Sequence, residues 1–257
     1  MTSSSTTASR VAAFFDIDCT LLPAPSLEWR FLAFLLAHDD ISASNIARWL
    51  ARFVRLSIAS PLADAYENKL YLRGLPESLV EMWQRSLVCN DETPTDPAVS
   101  ALPLFAEALA RIEWHAARQH AIFLVSGTLA PLARALSLQL SRNVGVAIET
   151  YATELESCGG VWTGELTGPH ISGKQKALAI AQFASRYGFS LSDSFAYADS
   201  ITDLLALSSV GHPFAVNPSG RLAHHAKRRH WPIVRWSSTL AERTASLTSL
   251  VGIKEAQ

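Results

Sequence analysis

Three short apolar runs, each closed by a hydroxyl or carboxylate residue, constrain this chain more than anything else in it. Val11 to Phe15 ends in Asp16, Ala121 to Val125 ends in Ser126, and Ser194 to Ala198 ends in Asp199. Runs this apolar have no face to leave in water, so they predict strands buried on both sides of a parallel sheet. Helical patterns sit between them, Ala106 to His115 before the second run and Lys176 to Arg186 before the third. That alternation predicts an α/β fold with a doubly wound parallel sheet, in which ligands bind at the carboxyl ends of the strands. The polar residues that close the runs stand at those ends.

A chain of 257 residues with 49% hydrophobic content suits one large α/β domain, or a core with a smaller insert. No sheet strand is evident between Asp16 and Ser126. Instead the pattern predicts helices over Ser26 to His38 with Ser26 as N-cap, over Ser44 to Ala59, and over Pro76 to Val88 with Pro76 in the first turn. The turn-rich stretch 91–97 reads as a linker. The expected division is a disordered tail at 1–10, a core at 11–23 and 98–257, and a helical cap at 24–97. Ala147 to Leu155 and Val161 to Leu166 read as a β-hairpin turning on Gly159 and Gly160. Beyond Trp236 a surface helix or coil is expected.

Composition excludes several classes. Charged residues make up 18% and the net charge is -1, so no global bias points to nucleic acid or an anionic membrane as a partner. Three widely spaced cysteines make a poor disulfide framework and lack metal-ligand spacing, and a reducing cytoplasm is the expectation. The polar opening stretch is not a secretory signal, and the apolar run Phe31 to Ala37 is too short to span a bilayer.

Four signals carry chemistry. Asp16 and Asp18 set two carboxylates at the end of a buried strand, which is costly unless a cation such as magnesium joins them. A carboxylate so placed can attack phosphorus, and a second one two residues on can protonate the leaving oxygen and activate water. Ser126 and Gly127 offer a hydroxyl and a backbone N–H at a strand end that opens a helix, which together can cradle a phosphate. Lys174 and Lys176 stand before a helix, where a lysine can neutralise a phosphoryl group. Asp199 and Asp203 are four apart; Asp199 can ligate a metal with Asp203 behind it, or can simply cap a helix.

Taken in order, these segments resemble the haloacid dehalogenase superfamily of phosphatases. The stretch DIDCT resembles its first motif, Asp-x-Asp-x-Thr, and FLVSGT resembles its second. A lysine before a helix resembles the third, and YADSITD resembles the acidic fourth, with Ala198 where glycine is common. The likeness covers about residues 11 to 236 and looks closest to the phosphoserine-phosphatase-like subfamily IB, with a Rossmann-like core and a helical cap. The resemblance implies Asp16 as nucleophile and magnesium ligand, and Asp18 as general acid/base and ligand through its carbonyl. It implies Thr20 as support, Ser126 and Gly127 as phosphate binders, and Asp199 as the remaining protein ligand with Asp203 supporting it. By spacing to the fourth motif, Lys176 rather than Lys174 matches the third-motif lysine. Asp18 argues against dehalogenation. The relatives carry a glutamate nine residues after the nucleophile that contacts the substrate amine. Pro25 stands there instead, and Glu28 is three residues late, which disfavours phosphoserine.

The expected activity is hydrolysis of a small phosphate monoester. Phosphotransfer through the same intermediate and a catalytically silent binding protein are the alternatives. Arg48, Arg52 and Arg55 share one face of the second helix, where a solvated face is expected over an anion-attracting one. Trp29, Trp49 and Phe53 are expected to pack in a core rather than line the substrate side. His224 to His230 reads as an exposed basic helix end.

Overall fold

The computed structural model describes residues 10–59, 67–88, 102–237 and 239. Six parallel strands form one sheet in the order β3 (Ile148–Thr153), β2 (Ala121–Leu129), β1 (Ala12–Phe15), β6 (Phe195–Ala198), β7 (His212–Val216) and β8 (Ile233–Val234). Strand β1 (Ala12–Phe15) lies at its centre and shows why the fold takes this form. Ala12 and Phe14 join one apolar cluster, Ala13 and Phe15 another, because successive side chains point to opposite faces. The first cluster takes in α6 (Lys174–Tyr187), α7 (Leu204–Ser208) and α8 (Gly220–Arg228). The second takes in α4 (Ala106–Ala116) and α5 (Ala130–Val144). Phe15 stacks on Tyr197 at 4.4 Å between ring centres, so aromatic packing ties β1 to β6 (Phe195–Ala198).

Three helices follow β1. Helix α1 (Leu27–Ala37) has Ser26 as its N-cap, with the Trp29 N–H donating to Ser26 Oγ. Helix α2 spans Ala43–Ala59 and α3 Leu79–Val88. Helix α3 starts three residues later than its pattern predicts. Pro76 bridges Val161 and the Glu77 N–H donates to Gly160 O at 2.9 Å, which holds these residues extended. Leu27, Phe31 and Leu35 bury one face of α1, and Phe31 meets Trp83 and Trp162 edge-on. The expected linker at 91–97 and the tail beyond residue 239 lie outside the described residues.

Other expectations need correction. Strand β2 (Ala121–Leu129) does not stop at Ser126 but runs through Ser126, Gly127 and Thr128, with a register shift against β3 (Ile148–Thr153) between Val125 and Leu129. Helix α5 therefore begins at Ala130. The stretch 147–155 is not one arm of a hairpin. Ile148–Thr153 enters the main sheet parallel to β2, because α5 completes a β-α-β crossover ended by Gly145 at φ 71°. Only Leu155–Cys158 (β4) pairs with Val161–Leu166 (β5), across Gly159 and Gly160, both at positive φ as such a tight turn requires.

The aromatic residues expected in a core lie outside it. Trp29 is 64% and Phe53 38% exposed, while Trp49 is half-buried and stacks on Phe53. Among the described residues no helix is long and apolar enough to cross a membrane.

Candidate active site

The four sequence signals converge at the carboxyl ends of β1, β2 and β6. Asp16 follows β1, and its N–H donates to Tyr197 O on β6 at 3.0 Å, so the sheet ladder itself sets its position. Asp199 follows β6. The chain then makes a 3-10 turn, Ile201–Asp203, capped by Ser200, and this turn swings Asp203 back beside Asp16. Asp16, Asp199 and Asp203 bring carboxylate oxygens within 4.8 Å of one another.

Helix α6 supplies the balancing charge. Lys176 Nζ lies 2.8 Å from Asp16 Oδ1 and 2.8 Å from Asp203 Oδ1, buried between them. Lys174 begins the same helix and is exposed. The helical phase thus resolves the ambiguity between the two lysines, since residues two apart cannot share a face.

The electrostatics record an excess of negative charge. Burial and then the neighbouring Asp16 and Asp203 carboxylates push Asp199 up to about 7, with Lys176 only partly offsetting them. Asp203 is raised as well, again by burial first, against the pull of Lys176. Burial disfavours a charged Lys176, yet Asp16 and Asp203 more than offset it, and its pKa is raised. With all three carboxylates ionised against one ammonium, the cluster is two charges short of neutrality, which, on top of burial, is why the carboxyls resist ionisation. Oxygen donors so arranged fit a hard divalent cation such as magnesium.

Asp18 sits apart from that cluster. The Leu27 N–H at the start of α1 donates to its Oδ1 at 2.7 Å, and Thr128 Oγ1 donates to its Oδ2 at 2.6 Å. Burial raises its pKa, although both of these hydrogen bonds work the other way. The loop that separates Asp18 from Asp16 is tight. The N–H groups of Thr20, Leu21 and Leu22 all point to Ile17 O, and Cys19 takes φ 60° to close the turn. Thr20 is fully buried there. The Cys19 thiol is pushed up by burial and by Asp199, Asp18 and Asp16, which keeps it protonated.

Ser126 is buried, and its Oγ accepts from the Thr128 N–H at 3.3 Å. Gly127 has a local reason to be glycine. A Cβ there would come within 3.0 Å of His170 Nε2 and 3.3 Å of Ile171 O. Thr153 on β3 locks the same strand end, donating from Oγ1 to Gly127 O at 2.8 Å and accepting from the Ile171 N–H.

Sequence reasoning missed Thr128 and the α1 N-terminus as partners of Asp18. The threonine inside FLVSGT was available as a signal; the helix end was not. It also missed the engagement of Glu28, whose carboxylate accepts from Lys69 Nζ at 2.5 and 2.7 Å and from Tyr71 Oη at 2.5 Å.

Residues 13–208 match the family model of haloacid dehalogenase-like hydrolases. A Mycobacterium tuberculosis protein named a probable phosphatase is 31% identical over 239 residues, 91% of this chain and 78% of that protein. Among solved structures, a Bordetella pertussis protein of unknown function superposes with a TM-score of 0.68 at 24% identity, covering 88% of this chain and 99% of the other. A phospho-aspartyl intermediate analogue of phosphoserine phosphatase superposes at 0.56 and 17% identity, covering 93% and 99%. At those identities the structural likeness speaks for the fold.

Proposed function

The chain belongs to the haloacid dehalogenase-like hydrolases, and on that premise we propose that it is a magnesium-dependent phosphohydrolase of small phosphate monoesters that works through an aspartyl-phosphate on Asp16. The observation that carries this reading is the buried cluster of Asp16, Asp199 and Asp203 around Lys176, which is short of positive charge. Asp16, Asp199 and the backbone carbonyl of Asp18 would hold the magnesium ion. When bound, the ion supplies charge neutralisation for the phosphoryl oxygens.

Each step is assigned to a residue. Asp16 attacks phosphorus in line, and the bond from phosphorus to the ester oxygen breaks. Asp18, whose raised pKa favours the protonated form, delivers its proton to the departing alcohol oxygen. The resulting Asp18 carboxylate then takes a proton from water. That water attacks phosphorus, the bond to Asp16 breaks, and inorganic phosphate leaves. Thr128 and the Leu27 N–H hold Asp18 in place through both steps. Ser126 and the Gly127 N–H bind the phosphoryl oxygens, and Lys176 offsets charge on the transferring group while fixing Asp16. Thr20 braces the loop and Asp203 orients Lys176.

The helical segment assigned to 24–97 acts as a cap over this site, and the cytoplasm is its expected compartment. Phosphoserine remains disfavoured. Pro25 carries no charge, and the Glu28 carboxylate is already engaged by the buried Lys69 ammonium and the Tyr71 hydroxyl, so its charge is balanced within the chain rather than held for a substrate amine.

Phosphate release from p-nitrophenyl phosphate with magnesium and no acceptor alcohol tests the reading. Wild type should turn over, EDTA should abolish turnover, and Asp16→Asn should lose roughly 10⁴-fold or more in kcat. Turnover that survives Asp16→Asn would sink the mechanism.

A further inference from the structure

Helix α2 turns a mixed polar and apolar face inward and leaves most of its large apolar residues outward. Its inward positions are Asn45, Trp49, Arg52 and Leu56, at i, i+4, i+7 and i+11. Asn45 is buried and donates to Tyr71 O at 3.0 Å and Arg73 O at 2.7 Å, and Arg52 pairs with Glu165. The outward face carries Ile46, Leu50, Phe53, Val54 and Ile58, which are 38% to 79% exposed. A helix of a water-soluble surface normally does the reverse.

The neighbouring helix does the same. Trp29, Ala33, Leu36 and Ala37 form the exposed stripe of α1, at i, i+4, i+7 and i+8. Seven of the twelve exposed large hydrophobic residues among the described residues lie on these two helices, five of them on α2 alone. Helix α3 presents Glu81, Met82 and Arg85 instead, an ordinary mixed surface.

Charge decides what covers that face. The seventeen residues of α2 include Arg48, Arg52 and Arg55 and no carboxylate. Arg48 and Arg55 are exposed on the flank of the helix, with Arg55 three residues before Ile58. On α1 the Glu28 carboxylate is held by Lys69 and Tyr71, and Arg30 donates to Pro23 O. Asp39 and Asp40 sit in the turn between the helices, at one end of the stripe. A second copy laid on α2 would set arginine against arginine with no acid on the helix to separate them. Apolar and aromatic residues on one side, with arginines able to snorkel beside them, are the physical description of a helix that lies in the interface of an anionic bilayer.

We propose that the outward face of α2 docks on an anionic lipid bilayer, with Leu50, Phe53, Val54 and Ile58 entering the interface and Arg48 and Arg55 meeting lipid phosphates. The helix does not cross the membrane. This inference does not depend on catalysis, and its test does not read activity.

The full chain is sedimented with vesicles of phosphatidylcholine alone and with vesicles of equal parts phosphatidylcholine and phosphatidylglycerol. Wild type binds the second and not the first, and added salt weakens the binding. Leu50→Glu with Val54→Glu, and separately Arg48→Glu with Arg55→Glu, each lower the partition coefficient roughly tenfold or more. Circular dichroism and thermal melts verify that each variant is folded. Should the double glutamate variant not fold, Ile58→Glu replaces it at a position 79% exposed. Absence of wild-type binding to the anionic vesicles overturns the proposal, as does binding that the glutamate variants leave intact. A dimer in light scattering that Leu50→Glu with Val54→Glu converts to monomer overturns it in favour of a second copy.

Discussion

The end of the sheet and the outer face of α1 and α2 each invert the ordinary partition between water and protein, in opposite senses. At the sheet end, carboxylates and an ammonium are buried: Asp16, Asp203 and Lys176 are each no more than 9% exposed. On the helices, tryptophan, leucine, isoleucine and phenylalanine face water. A folded chain bears such costs only where something else offsets them. The sheet end is one divalent cation short of neutrality, and the helix face lacks an apolar surface to lie against. The difference between them lies in how they are held. Asp16 and Lys176 are fixed by strands and a helix at the centre of two apolar clusters, whereas α2 is held through Asn45, Arg52 and a short turn at 70–72.

The comparison breaks most sharply at Lys176. Replacing it with Met leaves buried carboxylates without their cation, which should cost about 3–5 kcal/mol in urea unfolding with EDTA present. Magnesium should restore part of that loss, because it neutralises the same oxygens. Unchanged stability in EDTA would mean that the charge excess at the sheet end is not a real liability.

A smaller effect tests the interior at the opposite end of β6. His115 is fully buried, with Nε2 2.9 Å from Tyr197 Oη and Nδ1 2.8 Å from His120 Nδ1. Burial, then His120 and two arginines, lower its pKa to about 3. The folded state thus holds a proton less readily than the unfolded chain between pH 6.5 and about 3. Stability from this group is complete above pH 6.5 and falls as the pH drops, by at most about 1.4 kcal/mol per unit. His115→Gln should flatten that slope in urea midpoints measured from pH 7 down to 4. A slope identical to wild type would show that His115 titrates normally.

The smallest expected change sharpens the other side of the contrast. Leu50→Glu with Val54→Glu should alter the unfolding free energy by less than about 0.5 kcal/mol, since both side chains stand on the exposed face of the helix. A loss comparable to a core truncation, about 2–5 kcal/mol, would mean that the α2 face is already covered within the chain.

Much of the site could be read in advance because its parts are local. A strand buried on both faces must be apolar throughout, so the residue that ends it marks a strand end whatever the rest of the chain does. Asp16 and Asp199 were found that way, and the structure brings them together with Asp203, whereas at Ser126 the apolar run ends before the strand does. The local pattern left two lysines open, because a short segment does not reveal which side of α6 meets the sheet; only the spacing that the family resemblance implies favoured Lys176, which is the one that meets Asp16. The partners of Asp18 and Glu28 were beyond reach for a related reason. Thr128 lies 110 positions from Asp18, and Lys69 lies 41 from Glu28.

What the sequence determined by itself is therefore the alternation of elements, the α/β class and the residue types at the strand ends, all of which follow from short-range pattern. Tertiary packing decided the rest: that β3 joins the main sheet, that Lys176 and not Lys174 meets Asp16, and that α2 turns its apolar side outward. An amphipathic period states only that a helix has two faces. Which of them is buried depends on the surface it meets, and here backbone carbonyls of Tyr71 and Arg73 and the carboxylate of Glu165 hold Asn45 and Arg52 inward beside Trp49 and Leu56.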